Sequence, residues 1–206
     1  MKAHVYLYKL LKKAYLKTYL ACVKIPVRFK LSVNNVQVGR GFKSNGIPVI
    51  DVWDSGKFYI GDNVYINNGR KFNQIGRQQP CYFIVYNNAI LKLGNNVGMS
   101  ATAIVCFKSI TIGDNVKIGG NVVIYDTDFH SLDKMDRRDP KLDQEKKQCK
   151  DVIIEDDVFI GAHSIILKGV TIGEGAIIGA GSVVSKSIPK NEIWGGNPAR
   201  FIKSAI

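Results

Sequence analysis

Residues 154–189 read IEDDVF, IGAHSI, ILKGVT, IGEGAI, IGAGSV, VSKSIP: six consecutive units of six residues. Each unit opens on an aliphatic residue, at Ile154, Ile160, Ile166, Ile172, Ile178 and Val184. Four places further on stand Val158, Ser164, Val170, Ala176, Ser182 and Ile188, all small or aliphatic. A helix repeats every ~3.6 residues and a strand every two, so neither alone explains a unit of six. A β-solenoid does, with each unit forming one short flat side and a turn. Three units make a triangular coil, the opening aliphatics stack along its interior, and glycines accept the tight corners.

Upstream, the same pattern is clear in LGNNVG (93–98), MSATAI (99–104) and VCFKSI (105–110). After one extra residue, Thr111, come IGDNVK (112–117) and IGGNVV (118–123). VGRGFK (38–43) and IGDNVY (60–65) also fit, CYFIVY (81–86) reads as a strand, and the polar stretch Asn67–Gln79 reads as a loop. The predicted fold class is therefore all-β, a parallel β-helix over residues 31–206. It carries an inserted loop at about 125–152 and a C-terminal tail from residue 190.

Residues 1–30 form a separate helical segment. At 100° per residue, Leu7, Leu11, Ala14, Thr18, Cys22 and Ile25 make one apolar stripe, with Lys2, Lys9, Lys13, Lys17 and Lys24 opposite. Pro26 is expected to stop the helix. The favoured role is a lid over the open edge of the first coil, and the alternative is a helix lying on an anionic membrane surface. Residues 1–50 hold ten Lys or Arg and no acid, so of the net charge of +12 only +2 remains for residues 51–206. Basicity confined to one end argues against a nucleic-acid-binding protein. No apolar run reaches the ~20 residues of a membrane span. Cys22, Cys81, Cys106 and Cys149 lie far apart without metal or redox spacing. That pattern suits reduced thiols and a cytoplasmic location, with peripheral contact at the inner face of the membrane as the variant.

Where the unit at Ile124 breaks, the chain reads YDTDFHS. In an extended segment Asp126, Asp128 and His130, at i, i+2 and i+4, project from one side. A His beside carboxylates is suited to accept a proton near neutral pH, so this is the candidate catalytic group. Residues 133–150 are nearly charge-balanced and read as a solvated loop. His163, between inward positions, reads as surface or interface. With His4, His130 and His163 the only histidines and no ligand spacing among them, no metal is expected. No Cys or Ser is placed as a nucleophile beside His130, which disfavours covalent catalysis.

The hexads IGDNVKIGGNVVI, the segment DTDFHS, the coils IGAHSIILKGVTIGEGAIIGAGSVVSKSIP and the closing GGNPARFI resemble the hexapeptide-repeat acyltransferases. Within them, the resemblance is to the O-acetyltransferases of sugars and surface polysaccharides. It implies a left-handed β-helix assembled as a homotrimer, acting on a sugar or glycan acceptor with acetyl-coenzyme A as co-substrate. His130 would be the general base, Asp128 and Asp126 would orient it, and Ser100 would assist the acceptor or oxyanion. Coenzyme A would lie along Ala162, Ala180, Ser185 and Lys186, with Arg200 and Lys203 at its phosphates. The alternatives are an N-acetyltransferase of an amino sugar and, from another class, a non-catalytic solenoid binding module, for which the DTDFHS break has no purpose. A carbonic anhydrase on the same fold would need three liganding His.

Overall fold

The computed structural model describes residues 2–73, 75–76 and 78–205. The chain winds into a triangular solenoid, a left-handed parallel β-helix, with its strands stacked into three parallel faces. Face A stacks Gln37–Val38, Lys57–Ile60, Ile90–Leu93, Ser109–Ile112, Val152–Ile154 and Thr171–Ile172. Face B stacks Lys43–Asn45, Tyr65–Asn67, Gly98–Ser100, Lys117–Ile118, Phe159–Ile160 and Ile177–Ile178, then adds Glu192–Gly195 and the antiparallel Arg200–Ser204. Face C stacks Val49–Val52, Tyr82–Val85, Ala103–Cys106, Val123–Tyr125, Ile165–Ile166 and Val183–Val184. Six coils result, with the tail closing over the last one.

The openers of the six-unit stretch, from Ile154 to Val184, are all fully buried, and so are Val158, Ser164, Val170, Ala176 and Ser182 to within 1%. Each such aliphatic side chain removed from water contributes about 1.5–3 kcal/mol. From face A to face B the step is six residues in every coil, and this corner explains the recurring Gly-Asp/Asn-Asn/Asp-Val. A Cβ at Gly113 would lie 2.2 Å from the Asp156 carboxylate stacked above it. That carboxylate accepts from the Asp114 N–H at 2.7 Å, as Asp114 does from Asn95 at 2.6 Å and Asn95 from Asp62 at 2.8 Å. Asn63, Asn96, Asn115 and Asp157 then turn the chain with φ between 56° and 59°, a region that Asn and Asp tolerate better than other side chains.

The other two corners vary in length. Register places Ile104, not Val105, opposite Ile124, and Ile112 opposite Leu93. So the side opened by Met99 has five residues and the next has eight, and Thr111 lies within a strand of face A instead of being an extra residue between units. The eight-residue side makes a wide C–A corner whose backbone turns away from the strand ladder. Asp126, buried at 0% exposure, plugs it: its carboxylate accepts from the N–H groups of Phe107 (2.8 Å), Lys108 (2.7 Å) and Ser109 (2.9 Å). Asp126 therefore serves the corner and does not face His130.

The first helix, α1, runs Ala3–Val33 and continues through Pro26. Proline deletes one helical hydrogen bond and crowds the preceding turn, at a cost of ~3 kcal/mol. Burial of Val23, Val27 and Leu31 against the first coil, and the bond from the Val52 N–H to the Asn34 side chain (2.8 Å), hold the helix beyond it. This C-terminal third, with Tyr19 packed ahead of it, caps the solenoid. The stripe expected to bury points the other way: Leu7 is 54% and Leu11 60% exposed.

Replacing Asp126 with Ala leaves three backbone donors without partners. Each buried donor left unpaired costs about 1–3 kcal/mol, so Asp126→Ala should lower unfolding free energy by at least ~3 kcal/mol in a urea titration. Asp126→Asn, which keeps an acceptor, should lose less, and equal losses would contradict this role.

Candidate functional site

The long insertion leaves the C–A corner of the fourth coil after Tyr125 and returns at Val152. Its neck is closed by an antiparallel bridge between Thr127 and Cys149, by Asp128 N–H to Gln148 C=O (3.1 Å) and by Lys150 N–H to Asp126 C=O (2.8 Å). Phe129 then takes φ 65°, a left-handed conformation costing roughly 1–2 kcal/mol for a bulky residue. Its N–H donates to Thr127 Oγ1 at 3.0 Å, and its ring packs edge-on against Tyr125 and Phe107. These contacts belong to an aromatic column, Trp53–Tyr86–Phe107–Phe129, with one ring per coil along this corner. The turn at Phe129 ends the extended run, so Asp126, Asp128 and His130 do not share a side. Asp128 instead pairs with Lys168 of the fifth coil at 2.9 Å.

His130 projects into solvent, its side chain 65% exposed, and its Nδ1–H donates to Asp143 Oδ2 at 2.7 Å. Asp143, nearly buried, lies on a second helix, α2, Pro140–Lys146, inside the stretch read as a solvated loop. The hydrogen bond from His130, with that from the Ser131 N–H (2.7 Å) to Oδ1, holds the Asp143 carboxyl below the usual carboxylate range. Behind it, Asp136 accepts from Lys146 (2.8 Å) and from Ser131 Oγ–H (3.0 Å), which lowers its pKa in turn and raises that of Lys146. Arg137 donates to the Ser131 carbonyl at 2.7 Å. The insertion is thus a folded cradle that fixes one face of the imidazole and leaves Nε2 outward. Asp143 had a signal: Asp139-Pro140 is a helix start, and the Asp139 side chain caps the N–H groups of Lys141 and Leu142.

The other candidate residues divide between two corners. Ala162 and Ala180 stand in one small-residue column at the B–C corner, where Gly181 N–H donates to the Ala162 carbonyl at 2.8 Å. Ser100 lies on the same corner three coils before Ala180 and accepts from Asn67 Nδ2 at 3.1 Å. His163, half-buried at this corner, has its Nδ1 3.1 Å from Asn121 Nδ2. Ser185 and Lys186 are exposed at the C–A corner, on the side of the insertion, and Arg200 and Lys203 are exposed on the final strand. Face C separates the two groups by a side of about six residues, at most ~20 Å.

Residues 151–186 match the model of the bacterial transferase hexapeptide (six repeats), and residues 92–126 that of the hexapeptide repeat of succinyl-transferase. This is a hexapeptide-repeat β-helix. Over its length the repeat chain resembles a crystal structure of a variant of AntD, an N-acyltransferase from Bacillus cereus, in complex with dTDP-4-amino-4,6-dideoxyglucose and coenzyme A. The TM-score is 0.61 at 27% identity, covering 87% of this chain and 89% of that one. Among curated relatives, a 2,3,4,5-tetrahydropyridine-2,6-dicarboxylate N-acetyltransferase of Staphylococcus aureus is 48% identical over 61 residues, 30% of this chain and 26% of the relative. A Schizosaccharomyces pombe protein named as an acetyltransferase is 45% identical over 94 residues, 46% of this chain and 42% of the relative. The hexapeptide-repeat chain therefore spans less than half the length of these curated relatives.

The low carboxyl pKa values carry a pH prediction. Groups whose folded pKa is depressed stabilise fully above their unfolded value, about 4, and lose that contribution as pH falls through the folded value. The insertion should therefore resist pepsin down to about pH 4 and become cleavable between residues 131 and 148 below it, with the coils still intact. Cleavage that sets in equally for coils and insertion would refute the separate role of Asp136 and Asp143.

Proposed function

We propose that this protein is an acyltransferase that moves an acetyl group from acetyl-coenzyme A to an amino group on a sugar. The observation that carries the reading is the His130–Asp143 pair on a folded insertion at the edge of a hexapeptide-repeat β-helix. Asp143 keeps the proton on Nδ1, so Nε2 stays available as a base. It takes a proton from the acceptor amine as the nitrogen attacks the thioester carbonyl. The new C–N bond forms, the C–S bond breaks, and the proton held on His130 passes to the departing thiolate. The AntD complex, which holds an amino sugar and coenzyme A together, supports the choice of acceptor class.

A hydroxyl acceptor is the second reading. A hydroxyl is a poorer nucleophile than a neutral amine and depends even more on losing its proton as it attacks, so the oriented base suits it as well. The two products separate chemically: the ester is cleaved by mild alkali and the amide is not. We further propose that the site is completed between copies in a homotrimer. The column of Ala162 and Ala180 would receive the pantetheine arm, and the neighbouring copy's insertion would supply the base. Ser185, Lys186, Arg200 and Lys203 would line the outer end, where the basic groups meet the nucleotide phosphates. Ser100 would stand near the acceptor.

With dTDP-4-amino-4,6-dideoxyglucose and acetyl-coenzyme A as probes, His130→Ala should cut kcat by at least ~10²-fold with little change in the KM for acetyl-coenzyme A. Asp143→Asn, a positioning change, should lower kcat less and alter the pH profile of kcat. Asp128→Asn should leave that profile as it is. A folded His130→Ala protein of normal turnover would overturn the assignment of the base. Light scattering should give a trimer, and a stable monomer that still turns over would overturn the shared site.

A further inference from the structure

We propose that the first half of α1, residues 3–18, is an anchor that lies on an anionic lipid surface. Three arcs run along this helix at 100° per residue. Val23, Val27 and Leu31 face the first coil and are 4–7% exposed. On the opposite side, Leu7, Leu11, Ile25 and Phe29 are 54–75% exposed. Lys17, Lys24 and Arg28 lie between these arcs, and Lys9 and Lys13 stand opposite Leu7 and Leu11, ahead of Val23 on its side of the helix.

Ahead of Tyr15 the helix packs nothing into the hydrophobic core: its first buried core residue is Val23. Among the described residues its lateral support is the loop after Asn67, where Lys71 Nζ lies 4.7 Å from the Tyr15 ring centroid and 4.3 Å from that of Tyr19, and Phe72 packs on Tyr19. The projecting half is therefore supported at Tyr15 and Tyr19 without being covered. An exposed apolar arc backed by a basic face is the pattern of a helix that lies in the headgroup region with its apolar side against the acyl chains. The helix is not apolar enough to cross a bilayer.

Charge decides the occupant. Ala3–Val33 contains seven Lys or Arg and no acidic residue. A second copy would set seven more cations beside the first seven with no acid on either helix, and like charges repel. An anionic bilayer offers acyl chains for Leu7 and Leu11 together with a negative surface that attracts the basic helix. The helix joins the solenoid at its first coil, the end away from the final one.

The test uses the full chain and sedimentation with vesicles of phosphatidylcholine, with and without phosphatidylglycerol. Binding is expected only to the anionic vesicles and should weaken as salt is raised. Replacing Lys9, Lys13 and Lys17 with Gln should lower the partition coefficient by roughly 10²-fold. Leu7→Ser with Leu11→Ser should abolish binding while melting temperature and acetyl transfer to a soluble amino sugar stay unchanged, because neither residue touches the core. Equal binding to neutral and anionic vesicles, or no binding at low salt, would overturn the proposal. So would a change of oligomeric state in the Leu7/Leu11 variant, which would assign the face to a second copy.

Discussion

Every coil of this chain depends on hydrogen bonds and aliphatic contacts to the coil before and after it. A single triangular turn encloses too little apolar surface to exist alone, so register between coils is the constraint that everything else must respect. The A–B corner shows how strictly it is respected. There the side length never departs from six residues, and one carboxylate or amide per coil ties the turn to its neighbour. The ends of the stack need covers of a different kind. The C-terminal third of α1 supplies one, and the antiparallel pair of Glu192–Gly195 with Arg200–Ser204 supplies the other.

Against that rigid stack, the insertion is built from polar contacts. Its neck is pinned by Asp126 and by the Asp128–Lys168 pair, and its interior is held by two carboxylates, Asp136 and Asp143, each facing a cation or imidazole. The strained turn at Phe129 is stabilised by rings above and beside it, and it sets the direction in which His130 leaves the surface. Backbone strain next to a reactive side chain is common where geometry must be over-determined. The base therefore owes its orientation to a chain of contacts reaching back to the solenoid.

The six-residue period announced the coils because burial of one aliphatic per side leaves a regular trace in the sequence. Where sides contain six residues, from Ile154 onward, the expected inward positions and the observed ones coincide. Between Met99 and Ile112 they part by one residue, since a short side followed by a long one leaves the total nearly unchanged and hides the slip. The acids near His130 depart from the expected alternation for a related reason. Asp126 and Asp128 are close in sequence, but the alternation that would place them together needs extended backbone, and Phe129 ends it. Asp143 is thirteen residues from His130, and only the folding of the insertion brings them together. For α1, the apolar stripe was visible but its partner was not. Two apolar arcs lie on opposite sides of one helix, and spacing alone does not say which of them the first coil takes.

The C–A corner has a history written in its lengths. From the interior residue on face C to the next on face A the step is ten residues in the first two coils, eight in the third, thirty in the fourth and six in the fifth. After each excursion the inward register resumes without loss, at Ile60, Leu93, Ile112, Ile154 and Ile172, all at most 5% exposed. Length at this edge is thus decoupled from the core, much as an intron is decoupled from a reading frame. Along it, segments can be gained, lost or exchanged while the solenoid persists, so chemistry can diversify there faster than architecture.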